Sequence, residues 1–315
     1  MEKRKIQLIA GSTYTISLPK EWIKKNKLKE KNEIVIHEKN DGTLILSPSS
    51  INEKNLKEIS LDVDEYSNNI DQVLFSLYYL GIETINLFSK NELKKDIKTR
   101  IRTTLENMSG TEISYEDKQK IVIKVLLDKT KISLIQILYR ISLIIDSSIE
   151  NLLGKYDLKE IRVNEDEIDR LYHLITKVIS LSLIDTNILS TSQIKNISLI
   201  PFYFLISKKL ENIGDNIKHL AVYMDKNNVK FEKEDIFSFI RKEIDRCIKH
   251  ILMDFPTMFN ESEKAEIENI NKKISKIKDK ISSDYLRDTI RYTMDIEEEI
   301  INISFYKKLI SRGIL

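Results

Sequence analysis

Long amphipathic segments that follow one another with few breaks dominate the chain from Ile132 onward. Only seven Gly and four Pro occur in 315 residues, so sharp turns are few and the elements between them are long. This favours helices and argues against a many-turned β-sandwich or barrel. The pattern of apolar residues at i, i+3 and i+4 predicts six helices in two groups of three, which suggests an internally duplicated three-helix bundle. They run over about 131–153, 160–189, 194–225, 232–255, 261–281 and 284–311.

The first 50 residues predict a small β-rich unit instead. Alternating residues favour four strands, and Pro19 opens a short helix between the second and third that ends near Asn26. Asp41-Gly42 predicts a hairpin turn between the last two strands. Such a unit is too small to bury most of its apolar side chains and is expected to pair with a second copy. The predicted strands are Lys5–Ile9, Tyr14–Leu18, Glu33–His37 and Thr43–Leu46.

A third pattern, between Asp62 and Asp128, mixes both element types. Helices are predicted over 69–80 and 94–107, and strands after Gly81, over 111–115 and over 120–127. No phosphate loop or catalytic spacing occurs in this small α/β module. A spacer or a small-ligand sensing unit are the two roles left open for it.

Positive charge is concentrated at the N-terminus. Residues 1–47 contain ten Lys and Arg against six Asp and Glu, a net charge of +4, whereas the whole chain carries +2. A polyanion-binding module requires such a basic patch, although any single lysine could equally be ordinary solvated surface. The candidate DNA-binding residues are Lys3, Arg4, Lys5, Lys20 and Lys24.

Several classes of protein are disfavoured by what the sequence lacks. It has no apolar run of about 18 residues and no signal-peptide core, so we expect a cytoplasmic protein that does not itself span a membrane. The single cysteine, Cys247, permits neither an internal disulfide nor a thiolate zinc cluster.

Two acidic pairs could carry chemistry in the helical body, the segment from Ile132 onward. Glu165 and Asp169 share one helix face, as do Glu211 and Asp215 in the next long helix. If these helices form an antiparallel hairpin that turns near Thr191, the two pairs meet at one level. Four facing carboxylates would repel each other, and a cation would compensate them. Solvated helix faces are the alternative explanation for either pair.

Neighbouring residues leave the kind of metal open. Gly214 disfavours the helix by about 1 kcal/mol, which is easier to understand if a close backbone approach or a ligand needs the space. His173 and His219 each follow an acidic residue by four positions and could add nitrogen ligands for a transition metal. The Glu-x-x-His spacing of di-iron bundles is absent, and both could instead be capped surface histidines.

The segment KIQLIAGSTYTISLPKEW, followed by two further strands, resembles the swapped-hairpin DNA-binding fold of the AbrB/SpoVT transition-state regulators. The resemblance covers about 45 residues and implies DNA binding by a homodimer. One departure is Lys31-Asn32, where the family usually has Gly-Asp. Asn can also adopt the positive φ of such a turn.

The segments NEDEIDRLYHLI and LENIGDNIKHLA are similar to the acidic signatures of PhoU-type phosphate-signalling regulators, which are paired three-helix bundles that bind metal ions. The resemblance covers about 131–315 and implies that Glu165, Asp169, Glu211 and Asp215 are ligands of iron, zinc or magnesium. The second repeat departs from the pattern. Arg291 stands opposite Glu211, Met294 opposite Gly214 and Lys264 opposite Glu165, which leaves Asp295 and Glu268. We therefore predict one metal site per chain, in the first repeat.

The whole chain is thus expected to be mainly α, with an AbrB-like domain at 1–50, a small α/β module at 56–129 and a PhoU-like domain of two three-helix repeats at 130–315. An AbrB-like head on a PhoU-like body resembles archaeal-type phosphate uptake regulators. That resemblance implies a DNA-binding regulator of phosphate uptake, and not an enzyme. The alternative is an adaptor that does not bind DNA and negatively regulates a phosphate transporter or its sensor kinase. A carboxylate-bridged metalloenzyme is the weakest interpretation, since no general base or nucleophile can be named.

Overall fold

The computed structural model describes residues 3–9, 11, 13–38, 43–48, 58–154, 156–194, 196–228, 234–253 and 261–314. Its backbone contacts divide the chain into two units, Met1–Lys57 and Glu58–Leu315. The architecture agrees with the predicted fold class: a small β-hairpin region, a short α/β module and a long helical region.

Within its described residues, the N-terminal unit contains two antiparallel strand pairs with one helix between them. Leu8 lies opposite Tyr14 in the first hairpin, and Ile36 lies opposite Leu46 in the second. The first two strands are shorter than predicted, and Pro19 is the residue before the helix rather than its first residue. The predicted Asp41-Gly42 turn lies outside the described residues. The elements are β1 (Gln7–Ile9), β2 (Thr13–Thr15), α1 (Lys20–Lys25), β3 (Ile34–Glu38) and β4 (Leu44–Pro48).

The turn that leads into β3 differs from the expectation in one detail. The positive φ falls on Lys31, at +70°, and not on Asn32. The side chain of Asn32 instead accepts a hydrogen bond from the backbone N–H of Lys29 at 2.7 Å. Lys31 therefore occupies, with a side chain, the left-handed backbone position that glycine adopts most easily.

The small size of this unit leaves large apolar side chains in solvent, as expected. Seven of them are more than half exposed within the single chain: Ile6, Leu8, Ile9, Tyr14, Ile16, Ile36 and Leu44.

The second unit begins with a four-stranded sheet in the order β5-β6-β8-β7. Strands β5 and β6 are parallel, with α2 between them in the chain, and the other pairs are antiparallel. Strand β5 is an addition to the predicted elements. The inward residues of the sheet form one core with the two helices. The elements are β5 (Glu58–Asp62), α2 (Ile70–Tyr79), β6 (Thr84–Phe88), α3 (Lys95–Glu106), β7 (Thr111–Glu116) and β8 (Lys120–Val125).

The described residues after the sheet are mainly helical and share one continuous apolar core. The predicted second helix is broken, because it ends at Ser182 and a short separate helix follows, capped by the side chain of Asp185. The next helix starts at Ile200, later than predicted. The helices are α4 (Leu134–Leu153), α5 (Leu158–Ser182), α6 (Thr186–Thr191), α7 (Ile200–Asn227), α8 (Glu234–Met253), α9 (Glu261–Ser275) and α10 (Lys280–Ser311).

Helix α2 of the module packs against α5 of the helical body, and the contact includes Lys177, which the sequence pattern did not single out. Lys177, 2% exposed, donates to the backbone carbonyl of Tyr78 at 2.8 Å, and its Nζ lies 4.0 Å from the centre of the Tyr78 ring. Burial lowers the pKa of Lys177 to about 8. Nearby, the His173 ring stacks on Phe75 with centroids 4.0 Å apart. Specific hydrogen-bonding and stacking contacts therefore join the module to the helical body.

No helix in the described part of the chain is long and apolar enough to cross a membrane.

Candidate functional site

Helices α5 and α7 bring the two predicted acidic pairs to one level. Asp169 lies 13 residues before Ser182, the end of α5, and Ile213 lies 13 residues after Ile200, the start of α7. The connection between the helices is thus centred on Thr191, as predicted, although it is longer than a simple turn. The side chain of Lys218 on α7 contacts both Glu165 on α5 and Asp215 on its own helix, so acids of the two helices lie close together.

Burial and mutual repulsion make these carboxylates hard to ionise together. Burial is the largest cause of the raised pKa of Glu165, at about 7, and of Asp169, at about 6. Repulsion between α5 and α7 adds to the effect at Asp169. Burial also raises the pKa of Glu211. The cluster therefore holds acidic groups that favour either protonation or a nearby cation.

Two lysines supply positive charge within this cluster. The Nζ of Lys218 donates to Glu165 on α5 and, at 3.1 Å, to Asp215 on its own helix. Lys208 donates to both carboxylate oxygens of Glu211, at 2.7 and 2.6 Å. Burial alone would lower the pKa of either lysine, but hydrogen bonds and attraction to the acids outweigh it and raise both. Each lysine therefore remains an ammonium group at neutral pH.

The donor chemistry suits a hard metal cation, whereas the present side-chain arrangement holds a lysine. Four carboxylates offer oxygen donors only, which is the ligand type that magnesium, calcium and manganese prefer. Among the described residues, however, no group of three or more His, Cys, Asp and Glu side chains is close enough to hold a metal ion. The ammonium group of Lys218 takes the bridging position between α5 and α7 that a metal cation would need.

The two histidines make contacts with aromatic side chains instead of with the four acids. His173 Nδ1 lies 2.5 Å from the hydroxyl of Tyr79, and its partly buried ring stacks on Phe75. It is therefore not the capped surface histidine considered above. Burial, with repulsion from Lys208, lowers the pKa of His173 to about 4. His219 is exposed and stacks on Tyr285.

Gly214 marks a close approach between the two helices that carry the cluster. A Cβ atom at this position would lie 2.8 Å from Cδ1 of Ile168 on α5. Ile168 is buried, so it has little free space into which to move. The space beside Gly214 is therefore filled by a packed side chain of α5.

Two segments of the chain match models of known families. Residues 135–224, which include all four acids, match the model of the PhoU domain. Residues 7–54 match a model described as antidote-toxin recognition MazE, bacterial antitoxin. The chain joins a MazE/AbrB-like domain to a PhoU domain. Both are regulatory domain families rather than enzyme families. No curated protein matches the chain, and no solved structure does.

The PhoU match ends before α8, and the second three-helix group lacks the acidic cluster of the first within its described residues. Arg291 forms an exposed ion pair with Asp288 at 3.0 Å, and Glu268 is exposed. Asp295 pairs with Lys209 of α7. The side chain of Lys264 lies outside the described residues.

Instead, a buried ionic group that the sequence pattern did not reveal links α8 to α10. Glu243 and Glu297 are only 3% and 2% exposed, and Arg246 bridges them, 2.7 Å from Glu243. The sequence does contain one indication of this group, because the charged Glu243 lies within the apolar stripe of Ile240, Ile244 and Cys247. An arginine thus holds the acids of the second group together.

The candidate DNA-binding residues of the N-terminal unit all lie in solvent. Three of them precede β1, and the other two lie four residues apart on α1. The exposed residues are Lys3, Arg4, Lys5, Lys20 and Lys24.

Proposed function

We propose that this protein is a DNA-binding regulator of phosphate uptake, whose PhoU domain binds a metal cation and docks onto phosphate-signalling partners. The observation that carries the proposal is the joining, in one chain, of a MazE/AbrB-like domain with a PhoU domain. The net charge of +4 on residues 1–47 supports a polyanionic partner for the first domain.

DNA binding by the N-terminal unit would be mainly electrostatic. Each lysine or arginine that neutralises a phosphate releases condensed counterions, so affinity falls steeply with salt. The exposed amines of Lys20 and Lys24 lie one helical turn apart on α1 and can contact neighbouring phosphates. Sequence preference would then come largely from the shape of the DNA.

A homodimer would cover the apolar side chains of this unit. Leu8 and Tyr14 are 55% and 74% exposed in the single chain, although they face each other in one hairpin. Exposed apolar surface of this extent is typical of an interface. The dimer would also place two copies of the basic residues on one assembly, as a two-fold DNA site requires.

Fluorescence anisotropy with labelled duplex DNA at 50 mM and 200 mM salt tests DNA binding by the full chain. We expect Lys20→Ala with Lys24→Ala to weaken binding and to reduce the salt slope by about 0.9 for each phosphate that is no longer neutralised. Lys226→Ala, an exposed change on α7, is the matched control and should have no effect. Absence of DNA binding by the wild type at low salt would leave the N-terminal unit as a dimerisation device only.

In the PhoU domain, the cation would be held by the oxygens of Glu165, Asp169, Glu211 and Asp215. When bound, the cation supplies positive charge that relieves the repulsion between the acids of α5 and α7. Metal analysis of the purified wild type beside Glu211→Ala and Asp215→Ala tests this assignment, with the exposed Asp166→Ala of α5 as control. We expect Glu211→Ala and Asp215→Ala to contain less metal than the wild type, and Asp166→Ala to contain the same amount. Equal metal content in all four proteins would remove the assignment.

A cleft on the helical body favours the adaptor alternative as a second candidate. The cleft has a volume of about 340 Å³ and lies between α4 and α8, with Tyr139, Leu143 and Ile244 in its lining. Tyr139 and Leu143 are 42% and 51% exposed and could contact a partner protein. Pull-down of a phosphate transporter or sensor kinase by the full chain, lost in Leu143→Asp and retained in Lys226→Asp, would support this function. Equal recovery of the partner by both variants would argue against the cleft as the docking surface.

A further inference from the structure

Lys218 is the one residue of the acidic cluster found to tie its two helices together by an ion pair among the described residues. It lies on α7, one turn after Asp215, and its ammonium group reaches across to Glu165 on α5. Lys208, in contrast, pairs with Glu211 of its own helix. The two lysines therefore differ in role, although both lie beside the acids.

The same oxygens are required by Lys218 and by a metal cation that bridges the helices. When ionised, the four acids carry −4, and the two lysines return +2, so a net charge of −2 remains. This charge attracts a divalent cation to the cluster. The carboxylates of Glu165 and Asp215 nevertheless cannot bind a cation fully while they accept hydrogen bonds from an ammonium group.

We propose that Lys218 is an internal competitor of the metal cation, an inference that rests on the metal site of the proposed function. In the metal-free chain, Lys218 holds α5 to α7 through Glu165 and Asp215. Metal binding requires this amine to leave both acids and turn to solvent, which it can do because it lies on a partly exposed part of α7. Lys218 thereby raises the metal concentration at which the site fills, and the metal state changes the charge presented on the surface of α7.

Isothermal titration of the full chain with MnCl₂ tests this competition, since manganese accepts an all-oxygen ligand set. Methionine retains much of the length of a lysine side chain and removes its charge. Because the hydrogen bonds of Lys218 are charge-assisted, Lys218→Met should bind manganese about 10-fold to 100-fold more tightly than the wild type. Lys208→Met is the matched comparison, because it removes the same charge from the same cluster and frees the oxygens of Glu211 alone, without breaking the link between α5 and α7. Its gain should be clearly smaller.

The outcomes separate the competition from the metal site itself. Equal gains in Lys218→Met and Lys208→Met would overturn the special role of Lys218, because removing an ammonium group from a single acid of one helix would then be enough to explain them. Wild-type binding that is unchanged in Lys218→Met would also overturn it while leaving the metal site in place. Absence of binding in both proteins would remove the metal site and the competitor together. Binding by Lys218→Met alone would support the competition and show that the lysine keeps the wild-type site closed to manganese.

A second variant covers the case in which Lys218→Met does not fold, as judged by its helical circular dichroism. Lys218→Arg retains the charge and can still bridge Glu165 and Asp215, so its affinity for manganese should equal or fall below that of the wild type. Tighter binding by Lys218→Arg would contradict the proposal.

Discussion

The contact between Gly214 and Ile168 makes a quantitative prediction about how closely α5 and α7 pack. Gly214→Ala should gain about 1 kcal/mol in helix propensity. The new Cβ would lie 2.8 Å from Cδ1 of Ile168, which is too close for atoms that are not bonded. Overpacking of this kind costs roughly 1–3 kcal/mol, so we expect a net loss of about 1 kcal/mol in the free energy of unfolding.

Ile168→Val removes the Cδ1 atom that causes the clash, and the remaining contact, to Cγ2, lies at 3.4 Å. Alone, this change should cost about 0.5–1.5 kcal/mol. In its presence, Gly214→Ala should stabilise the chain by up to about 1 kcal/mol, because only the gain in helix propensity remains. The two changes should therefore show a coupling free energy of about 1–3 kcal/mol.

Urea unfolding of the four proteins, followed by the helical circular dichroism signal, measures this coupling. Equal stabilisation by Gly214→Ala with isoleucine or with valine at position 168 would refute the predicted clash. Additive effects would mean that α5 and α7 do not approach each other at this point in solution.

The remaining predictions concern pH, backbone strain and a buried charge. Because the pKa of His173 is lowered from 6.5 to about 4 in the folded chain, the unfolded chain binds the proton first, and stability is lost as pH falls from 6.5 to 4. By urea unfolding, the wild type should lose up to about 3 kcal/mol more than His173→Gln over this range, and parallel pH profiles would contradict a buried neutral imidazole. Lys31→Gly relieves a positive φ and should stabilise the N-terminal unit by about 0.5–1 kcal/mol, whereas Lys24→Gly within α1 should destabilise it by about 1 kcal/mol. The fluorescence of the single tryptophan, which lies on α1, reports the unfolding of this unit, and equal effects of the two glycines would exclude strain at position 31. Arg246→Met leaves two buried glutamates without their bridge and should cost about 3–5 kcal/mol. Lys249→Met, which breaks the exposed ion pair with Asp245, should lower the free energy of unfolding by less than about 1 kcal/mol. Thermal unfolding that ranks these two variants in the opposite order would argue against the buried bridge.

Periodicity was sufficient to predict the helical body and the level at which its acids meet. The apolar stripes indicated α5 and α7, and the break at Ser182 did not disturb the level of the acids. The extra residues between the two helices are shared almost equally on either side of Thr191. Spacing within a helix is a local property, and a symmetric connection preserves it across a hairpin.

The lysines of the cluster could not be predicted by the same reasoning. Lys208 and Lys218 each lie three residues from an acid, a spacing that usually indicates a solvated pair on a helix surface. Whether such an amine instead crosses to a neighbouring helix depends on how far apart the two helices lie, and sequence spacing does not contain that distance. Strand β5 was missed for a related reason, since its pairing with β6 depends on a partner 26 residues further along the chain.

The joint between Lys177 and Tyr78 has a practical consequence for dividing this chain into fragments. A fragment that started near residue 130 would keep Lys177 but lose Tyr78. The ammonium group of Lys177 would then lack the carbonyl that accepts its hydrogen bond and the ring that lies beside it. It would also leave the α5 side of the joint, including Leu181 beside Gly81, open to water. Such a fragment is expected to aggregate or to loosen at α5, whereas cleavage before Glu58 would leave this surface covered.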